Sequence, residues 1–442
     1  MNFVKFSILS ILFPVASIAS VADCLTISVV PNDTLDLEQV VELGLCRNPE
    51  TAAAYYSVES ARFNKNAGYA SYLPSVNGAA SWSKNYRNSD WQRADYGASL
   101  SASYLIFDFG RRLADFNQLT AVWRATGFDY DERVQNYVYG VIGAYYALLN
   151  ADADVASAKS ARVVAQTAYD TASKKFKAGV VARADVLKAE TTLASRNLDL
   201  ERAKNNREIA KGTLLTKLSF SSTQNISIQD MSENFGSIHE NDSIDELIET
   251  ARKKRPDLLR AMANKDAAWH KRNSAFLKNL PSISAGGSFS WSENDSASYG
   301  LNTGHTSAGV EIRATMPIFA GFANMYGLRS ANAAYEGASE NTRAVQDSVT
   351  MDVFTAYQNY KTAQTVLIQT DTLLKSATES EKVTAGMYKV GRATMLDWQT
   401  AQSELVSAQK QNNAAKYDLF TKRAALALAV GDIQSELEKD TE

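Results

Sequence analysis

Histidine, cysteine and proline are all scarce in this chain: three, two and seven residues among 442. His239, His270 and His305 stand far apart, and none has the spacing of a metal site or of a catalytic helix motif. There is no glycine-rich loop followed by lysine to cradle a phosphate, and no Gly-x-Ser-x-Gly elbow to present a nucleophile. Enzymatic chemistry is therefore not expected, nor is a resident metal or other cofactor. Long apolar runs are missing too. Beyond the N-terminal leader no stretch reaches the roughly 18 residues that a membrane-spanning helix needs, so entry into a membrane would have to be made with strands. Nor is one sign of charge in excess. The formal net charge of -3 points to neither nucleic acid nor a strongly charged partner.

What is present begins with an export signal. Lys5 precedes an apolar run from Phe6 to Ile18, and Ser20-Val21-Ala22 offers small residues for cleavage, with a cut after Ala19 as the alternative. A retained anchor would read similarly, but the run is short for a bilayer. The two cysteines, Cys24 and Cys46, follow closely in a chain that should meet an oxidising compartment, and a disulfide between them is the expectation. Acylation of Cys24 is the rival, opposed by Asp23 where a lipoprotein signal takes a small neutral residue. Free thiols are the third reading.

The prolines expose a duplication. Pro49 and Pro256 are 207 residues apart, and so are Pro74 and Pro281. The same offset sets Leu37-Glu38-Gln39-Val40-Val41-Glu42 against Ile244-Asp245-Glu246-Leu247-Ile248-Glu249, each a short amphipathic helix that ends before its proline. Farther on the offset is 212: Ile106-Phe107 matches Ile318-Phe319, and Gly179, Asp185, Ala189 and Leu193 match Gly391, Asp397, Ala401 and Leu405. The five extra residues fall between Pro281 and Phe319, where a surface loop tolerates them. The expected layout is a leader over 1–22, a first repeat over 23–220, a linker over 221–243, a second repeat over 244–431 and a tail over 432–442.

Within each repeat the pattern changes twice. An alanine-rich helix from Thr51 to Tyr72 stops before Leu73-Pro74, and strict alternation follows. Val76, Gly78, Ala80 and Trp82 share one face, and after a polar loop Tyr96, Ala98, Leu100, Ala102, Tyr104 and Ile106 do the same against Gly97, Ser99, Ser101 and Ser103. The second repeat offers Ile283, Ala285, Phe289 and Trp291, then Val310, Ile312, Ala314 and Met316 opposed to Glu311, Arg313 and Thr315. Strands of about 9 to 11 residues cross a bilayer at a tilt, apolar side outward. The lipid-facing set is therefore Val76, Trp82, Tyr96, Leu100, Tyr104, Ile283, Phe289, Trp291, Val310 and Ile312. A soluble sandwich edge would alternate in the same way.

After each hairpin comes a stretch without proline, Arg111 to Lys177 and Phe322 to Lys389, with apolar positions at helical spacing. Helices of 67 or 68 residues would be on the order of 100 Å long. Glycines 127, 140, 143, 327 and 337 are sites where they could break. Gly179 and Gly391 end them, and the chain reverses into helices from about Ala184 to Leu218 and Met395 to Val430.

The order helix, strand pair, long helix, glycine turn, helix, given twice, resembles the TolC family of outer-membrane efflux proteins over nearly everything from Leu35 to Ile433. The most specific residues are Phe176-Lys177-Ala178-Gly179 with Asp185-Val186-Leu187-Lys188-Ala189-Glu190, and Tyr388-Lys389-Val390-Gly391 with Asp397-Trp398-Gln399-Thr400-Ala401-Gln402. The resemblance implies a mainly α fold with a small membrane β part. Long antiparallel coiled-coil helices would build a periplasmic α-barrel, and four β-strands would go to a trimeric 12-stranded transmembrane β-barrel. It also implies a homotrimer in outer-membrane lipid that meets a periplasmic adaptor and an inner-membrane pump, with no nucleic acid partner.

The expected function is a passive exit duct for small molecules. A protein secretion channel is the alternative, and a structural periplasmic coiled-coil protein, which would need no strands, the other class. The resemblance places Asp185, Asp397 and Tyr388 at the periplasmic aperture beside the turn glycines Gly179 and Gly391. Threefold symmetry would make each aspartate a ring of like charges. The plainer reading is a carboxylate in the first turn of a helix, favoured there by the helix dipole. Thr400 stands where family members often carry a second Asp, so any cation site would be weaker.

Overall fold

The computed structural model describes residues 34–87, 90–230, 243–295 and 302–433. The leader, Cys24, residues 231–242 of the linker and the tips of both hairpins lie outside the described residues. In chain order the elements are β1 (Thr34–Leu35), α1 (Leu37–Arg47), α2 (Pro49–Ala67), a 3-10 turn (Gly68–Tyr72), β2 (Ser75–Arg87), β3 (Asp90–Phe107), α3 (Arg111–Lys177) and α4 (Arg183–Lys217). There follow β4 (Ser227–Ile228), α5 (Ile244–Lys254), α6 (Pro256–Leu277), β5 (Ser282–Asp295), β6 (Asn302–Thr315), α7 (Ala323–Lys389) and α8 (Met395–Val430). The fold is mainly helical with one substantial sheet. No described helix is long and apolar enough to cross a membrane, which leaves the strands unaddressed.

The helices begin where local chemistry satisfies their first amides. Asp36 and Gln39 close a capping box on α1, and Ser243 and Glu246 close its counterpart on α5. Asn48 and Arg255 are both held extended by the proline that follows, so α1 and α5 stop there and α2 and α6 start with proline in the first helical position. The two 67-residue helices run through their internal glycines without a break, because each glycine weakens a helix by only about 1 kcal/mol against about nineteen turns of continuous hydrogen bonding.

The chain forms two compact units that cut across the repeats, each drawing on both. The first comprises the described parts of 1–53, 133–255 and 349–442. Its core packs Val40 and Val41 of α1, Ile142, Tyr145 and Leu148 of α3, Leu214 and Leu215 of α4, and Ile433. A feature the alternation pattern could not reveal is a two-residue parallel pairing of β1 with β4, extended by the Gln229 amide donating to the Leu35 carbonyl. The Tyr145 hydroxyl, on a fully buried ring, donates to the Gln229 carbonyl.

The second unit comprises 54–132 and 256–348 and holds the sheet. Its order is β2-β3-β5-β6, antiparallel throughout, so the hairpins of the two repeats lie side by side with β3 against β5. The strands have 13, 18, 14 and 14 residues, longer than the 9 to 11 expected. Backbone pairing does not stop where the apolar alternation stops: the ladder continues through Lys84 and Tyr86 on one side and Glu293 on the other. Where each hairpin enters its long helix the backbone takes two consecutive left-handed residues, Phe109-Gly110 and Gly321-Phe322. The phenylalanines there adopt a conformation that costs an ordinary residue about 1 to 2 kcal/mol.

Candidate functional site

On the sheet, register decides which side chains share a face. Val76 lies opposite Ala102, Gly78 opposite Leu100 and Trp82 opposite Tyr96. Leu100 in turn faces Phe289 and Tyr104 faces Ala285, while Phe289 faces Ala308, Gly287 faces Val310 and Ala285 faces Ile312. Side chains directly opposite in a ladder point the same way. All ten apolar positions expected from the alternation therefore fall on one face, though a bulge between Leu105 and Phe107 intervenes. In the single chain this face is bare, with Val310 at 93 % and Ile312 at 78 % of full exposure.

The other face is built of hydroxyls and small residues. Its rungs run Asn77, Ser101, Ser288, Gly309 and then Ala79, Ser99, Ser290, Ser307. Ser75 and Ser103 share a hydrogen bond of 2.7 Å, as do Ser290 and Ser307. Over these rungs the surface is wettable without being charged. Aromatic rings concentrate at the two ends of the apolar face. Trp82, Tyr96 and Trp291 lie toward the hairpin tips, and Tyr104 and Phe107 lie toward the helices, where Phe107 meets Phe109 edge-on with ring centroids 4.7 Å apart and Phe319 meets Phe322 edge-on at 5.4 Å.

One junction residue escaped the sequence reading. The bulge in β3 leaves carbonyls turned out of the ladder, and Arg112 collects them, donating to Leu105 O at 2.8 Å and Ile106 O at 3.1 Å. Asp108 pairs with the same guanidinium at 3.3 Å and caps α3 through the Arg112 amide at 2.8 Å. The pair is largely buried, with 11 % and 8 % of the side chains exposed. Its spacing of four residues just after a strand was the available signal. In the second repeat the offset of 212 puts Ala320 and Asn324 there, so only one junction is locked this way.

In the other unit, both helix reversals are made the same way. Gly179 and Gly391 sit at φ +74° and +80°, a region that favours glycine. The next amide reaches five residues back in each case, Val180 to Lys175 O at 2.9 Å and Arg392 to Met387 O at 2.8 Å. Around the turns Ala168, Ala172, Ala189, Tyr388, Met395 and Trp398 form one apolar cluster. Tyr388 is 3 % exposed and packs on Trp398 with ring centroids 5.2 Å apart. Its ring belongs to this packing and does not stand free at a surface of the single chain. Burial raises the Tyr388 phenol above its usual range, and the charge of Asp185 adds to the effect. Lys175 lies 4.4 Å from the ring centroid and donates to the Tyr388 carbonyl at 2.5 Å, a tie between residues 213 apart in sequence that no local pattern announces.

Asp185 and Asp397 hold the third position of α4 and α8, but their surroundings differ. Ahead of Asp397, Thr394 closes a capping box: its hydroxyl and amide both donate to Oδ2 of Asp397, at 2.7 and 2.8 Å, and the Asp397 amide returns a bond at 3.2 Å. The Thr394 hydroxyl, then its amide, hold the Asp397 carboxyl below the usual carboxylate range. Thr-x-x-Asp before a helix is legible in sequence, and it gives Asp397 a local role whatever else it does. α4 is preceded by Ala182, which has no side-chain cap to offer, so Asp185 lacks that engagement. Cys46 lies on α1, and its expected partner is outside the described residues.

Compared with known proteins, the chain matches the outer membrane efflux protein family over residues 40–218 and 247–432, one segment in each repeat. The outer membrane protein TolC of Vibrio cholerae is 23 % identical over 87 % of this chain and 86 % of its own length. The alkaline protease secretion protein AprF of Pseudomonas aeruginosa is 28 % identical over 37 % of this chain and 35 % of its own. Among solved structures, the open state of the Neisseria gonorrhoeae MtrE outer membrane channel superposes with a TM-score of 0.77 at 20 % identity, covering 89 % of this chain and 88 % of that one.

Proposed function

The chain belongs to the outer membrane efflux protein family, and from that premise we propose that three copies form one passive exit duct through the outer membrane. The observation that carries the reading is the four-stranded sheet with an apolar face, a hydroxyl face and two edges, β2 and β6, that have no partner strand among the described residues. An open edge is not tolerated in lipid, because each unpaired amide and carbonyl there costs several kcal/mol. Four strands are too few to close a barrel, which starts at about eight. Copies must therefore join edge to edge, and twelve strands from three chains give a lumen lined by the serines, with the apolar face on lipid. The aromatic rings at the two ends of that face suit the two membrane interfaces.

The helices supply the periplasmic tunnel, and the glycine turns supply its aperture. There Asp185 and Asp397 are repeated three times around the aperture, and Tyr388 fixes the turns from within. Exposed Val180 and Val390 at the turns give an apolar landing for a periplasmic adaptor, which joins the duct to an inner-membrane pump. The pump supplies the energy and the duct does no chemistry. Small molecules are the proposed cargo. Protein secretion is the second reading, favoured by the likeness to a relative named for alkaline protease secretion.

The test is mass and conductance together. Protein extracted from membranes in detergent should have the mass of three copies, run unheated as a slower, trimer-sized band that heating converts to the single chain, and give discrete conductance steps in planar bilayers. Solubility without detergent, a monomeric mass and no conductance would point instead to a periplasmic scaffold.

A further inference from the structure

The hydroxyl face of the sheet is almost uncharged, and its exception is local. Away from the hairpin tips, its described positions on β2, β3 and β5 are Ser, Asn, Ala, Gly and one Leu, from Ser75 to Ser83, Gly97 to Leu105 and Ser282 to Ser292. On β6 the same face carries His305, Ser307, Gly309, Glu311, Arg313 and Thr315, and toward the hairpin tip of β3 it carries Asp95, opposite Ser83. Apart from Asp95 and His305 toward the tips, Glu311 and Arg313 are the charged residues at these positions, both at the helix-proximal end of the strand. They are paired with each other: Arg313 Nη2 donates to both carboxylate oxygens, at 3.1 and 2.9 Å. Both side chains are more than half exposed, so water and ions reach them.

The wall opposite is shaped for the pair. Glu311 faces Gly286, where an added Cβ would sit 3.3 Å from Glu311 Cγ, tighter than ordinary packing. The absent side chain lets Glu311 lie along the sheet toward Arg313. On the far side of Gly286 is Ser103, so the pair has no charged neighbour across the strands. A cation and an anion held this closely cancel at a distance, which leaves the helix-side mouth of the barrel close to neutral. Either one alone would not be cancelled.

Resting on the reading of this face as the lumen, we propose that the Glu311–Arg313 pair sets the ion preference at the helix-side mouth of the barrel and holds it near neutral. Removing one partner creates a threefold ring of the other. Glu311→Gln leaves three arginines facing the lumen, and Arg313→Gln leaves three glutamates. Clefts lined by one sign of charge concentrate the opposite ion, more so in dilute salt, where the screening length grows to about 30 Å at 0.01 M.

The experiment measures reversal potentials of the purified trimer in planar bilayers across a potassium chloride gradient, with the dilute side near 0.01 M. Relative to wild type, Glu311→Gln should lower the potassium-to-chloride permeability ratio by at least about twofold, and Arg313→Gln should raise it by as much. The double variant Glu311→Gln/Arg313→Gln should return close to wild type, because neutrality is restored without the pair. The exchanged variant Glu311→Arg/Arg313→Glu should do so as well, and it keeps the test open if a single variant assembles poorly. Single variants that conduct with an unchanged ratio would overturn the inference while leaving the duct intact. Wild type that never conducts would instead remove the reading on which it rests.

Discussion

Leu100 occupies the centre of the apolar face, between Gly78 on one side and Phe289 on the other. Tyr96 and Tyr104 flank it at four residues each way on the same strand. At about 3.3 Å per residue and a tilt near 40°, each tyrosine stands roughly 10 Å from it in depth, which puts Leu100 at the midplane of an apolar band about 25 Å tall. An arginine at that depth costs about 2 to 4 kcal/mol per copy, or about 6 to 12 kcal/mol for three separated copies in one barrel. Ser99 is the neighbouring residue but faces the other way, opposite Ala79 and Ser290. Ser99→Arg should therefore cost less than about 1 kcal/mol, since a lumen charge stays hydrated. The assay is the trimer fraction in unheated gels of membrane extracts, with both variants expressed alongside wild type. Leu100→Arg should lose most of the trimer and Ser99→Arg should keep it. Equal losses, or equal retention, would refute the assignment of faces to lipid and lumen.

Arg112→Met should destabilise the unfolding transition by about 3 to 5 kcal/mol, because it strands the buried Asp108 carboxylate, whereas Asn324→Ala at the equivalent junction should change it by less than about 0.5 kcal/mol; thermal melts followed by circular dichroism read both. Gly179→Ala and Gly391→Ala should each cost about 1 to 2 kcal/mol by conformation alone, as no atom stands within 4 Å of the added Cβ, and Asn at either site should cost less in the same melts. Thr394→Ala should cost roughly 1 kcal/mol through the lost cap. Because the Asp397 carboxyl is held below its ordinary range, its contribution is present above the unfolded value near 3.8 and lost as pH falls through the lowered one, which an acid titration of the melt would show by its absence in Asp397→Asn. If three copies of Asp397 ring the aperture, Asp397→Asn should also lower cation selectivity and relieve block by trivalent cations, and identical currents would confine it to capping. Intact-mass analysis after alkylation without reductant should find no labelled thiol, as a Cys24–Cys46 disulfide requires; two labels or a diacylglyceryl adduct would exclude it.

Much of this molecule was legible in one sequence because its elements are long and regular. Helix and strand periods differ, so the change from alternation to helical spacing at Arg111 could be read directly, and α3 and α8 begin and end where the pattern places them. Prolines 49 and 256 fixed helix starts through their missing amides, and Gly179 and Gly391 fixed helix ends through a backbone region other residues avoid. The capping of Asp397 was equally within reach, since Thr394 precedes it by three residues.

What the sequence could not decide is whatever depends on distant chain segments meeting. Alternation gave each strand two faces, but it did not say that β3 would pair with β5. That pairing joins the hairpins of the two repeats into one sheet and aligns their apolar faces. A slip of one residue would have turned one hairpin's apolar side chains to the other face, and only the ladder's hydrogen bonds and packing exclude it. The same holds for Arg112 at the bulge, for Lys175 on Tyr388 and for the strip that β4 adds beside β1. Local pattern records the preferences of a residue with its near neighbours, while the partners of a freed carbonyl or a buried ring are supplied by the fold. The sequence by itself thus determined the elements, their order and their duplication; tertiary structure decided the register that separates an apolar face from a hydroxyl one, because that choice is made between strands and not along them.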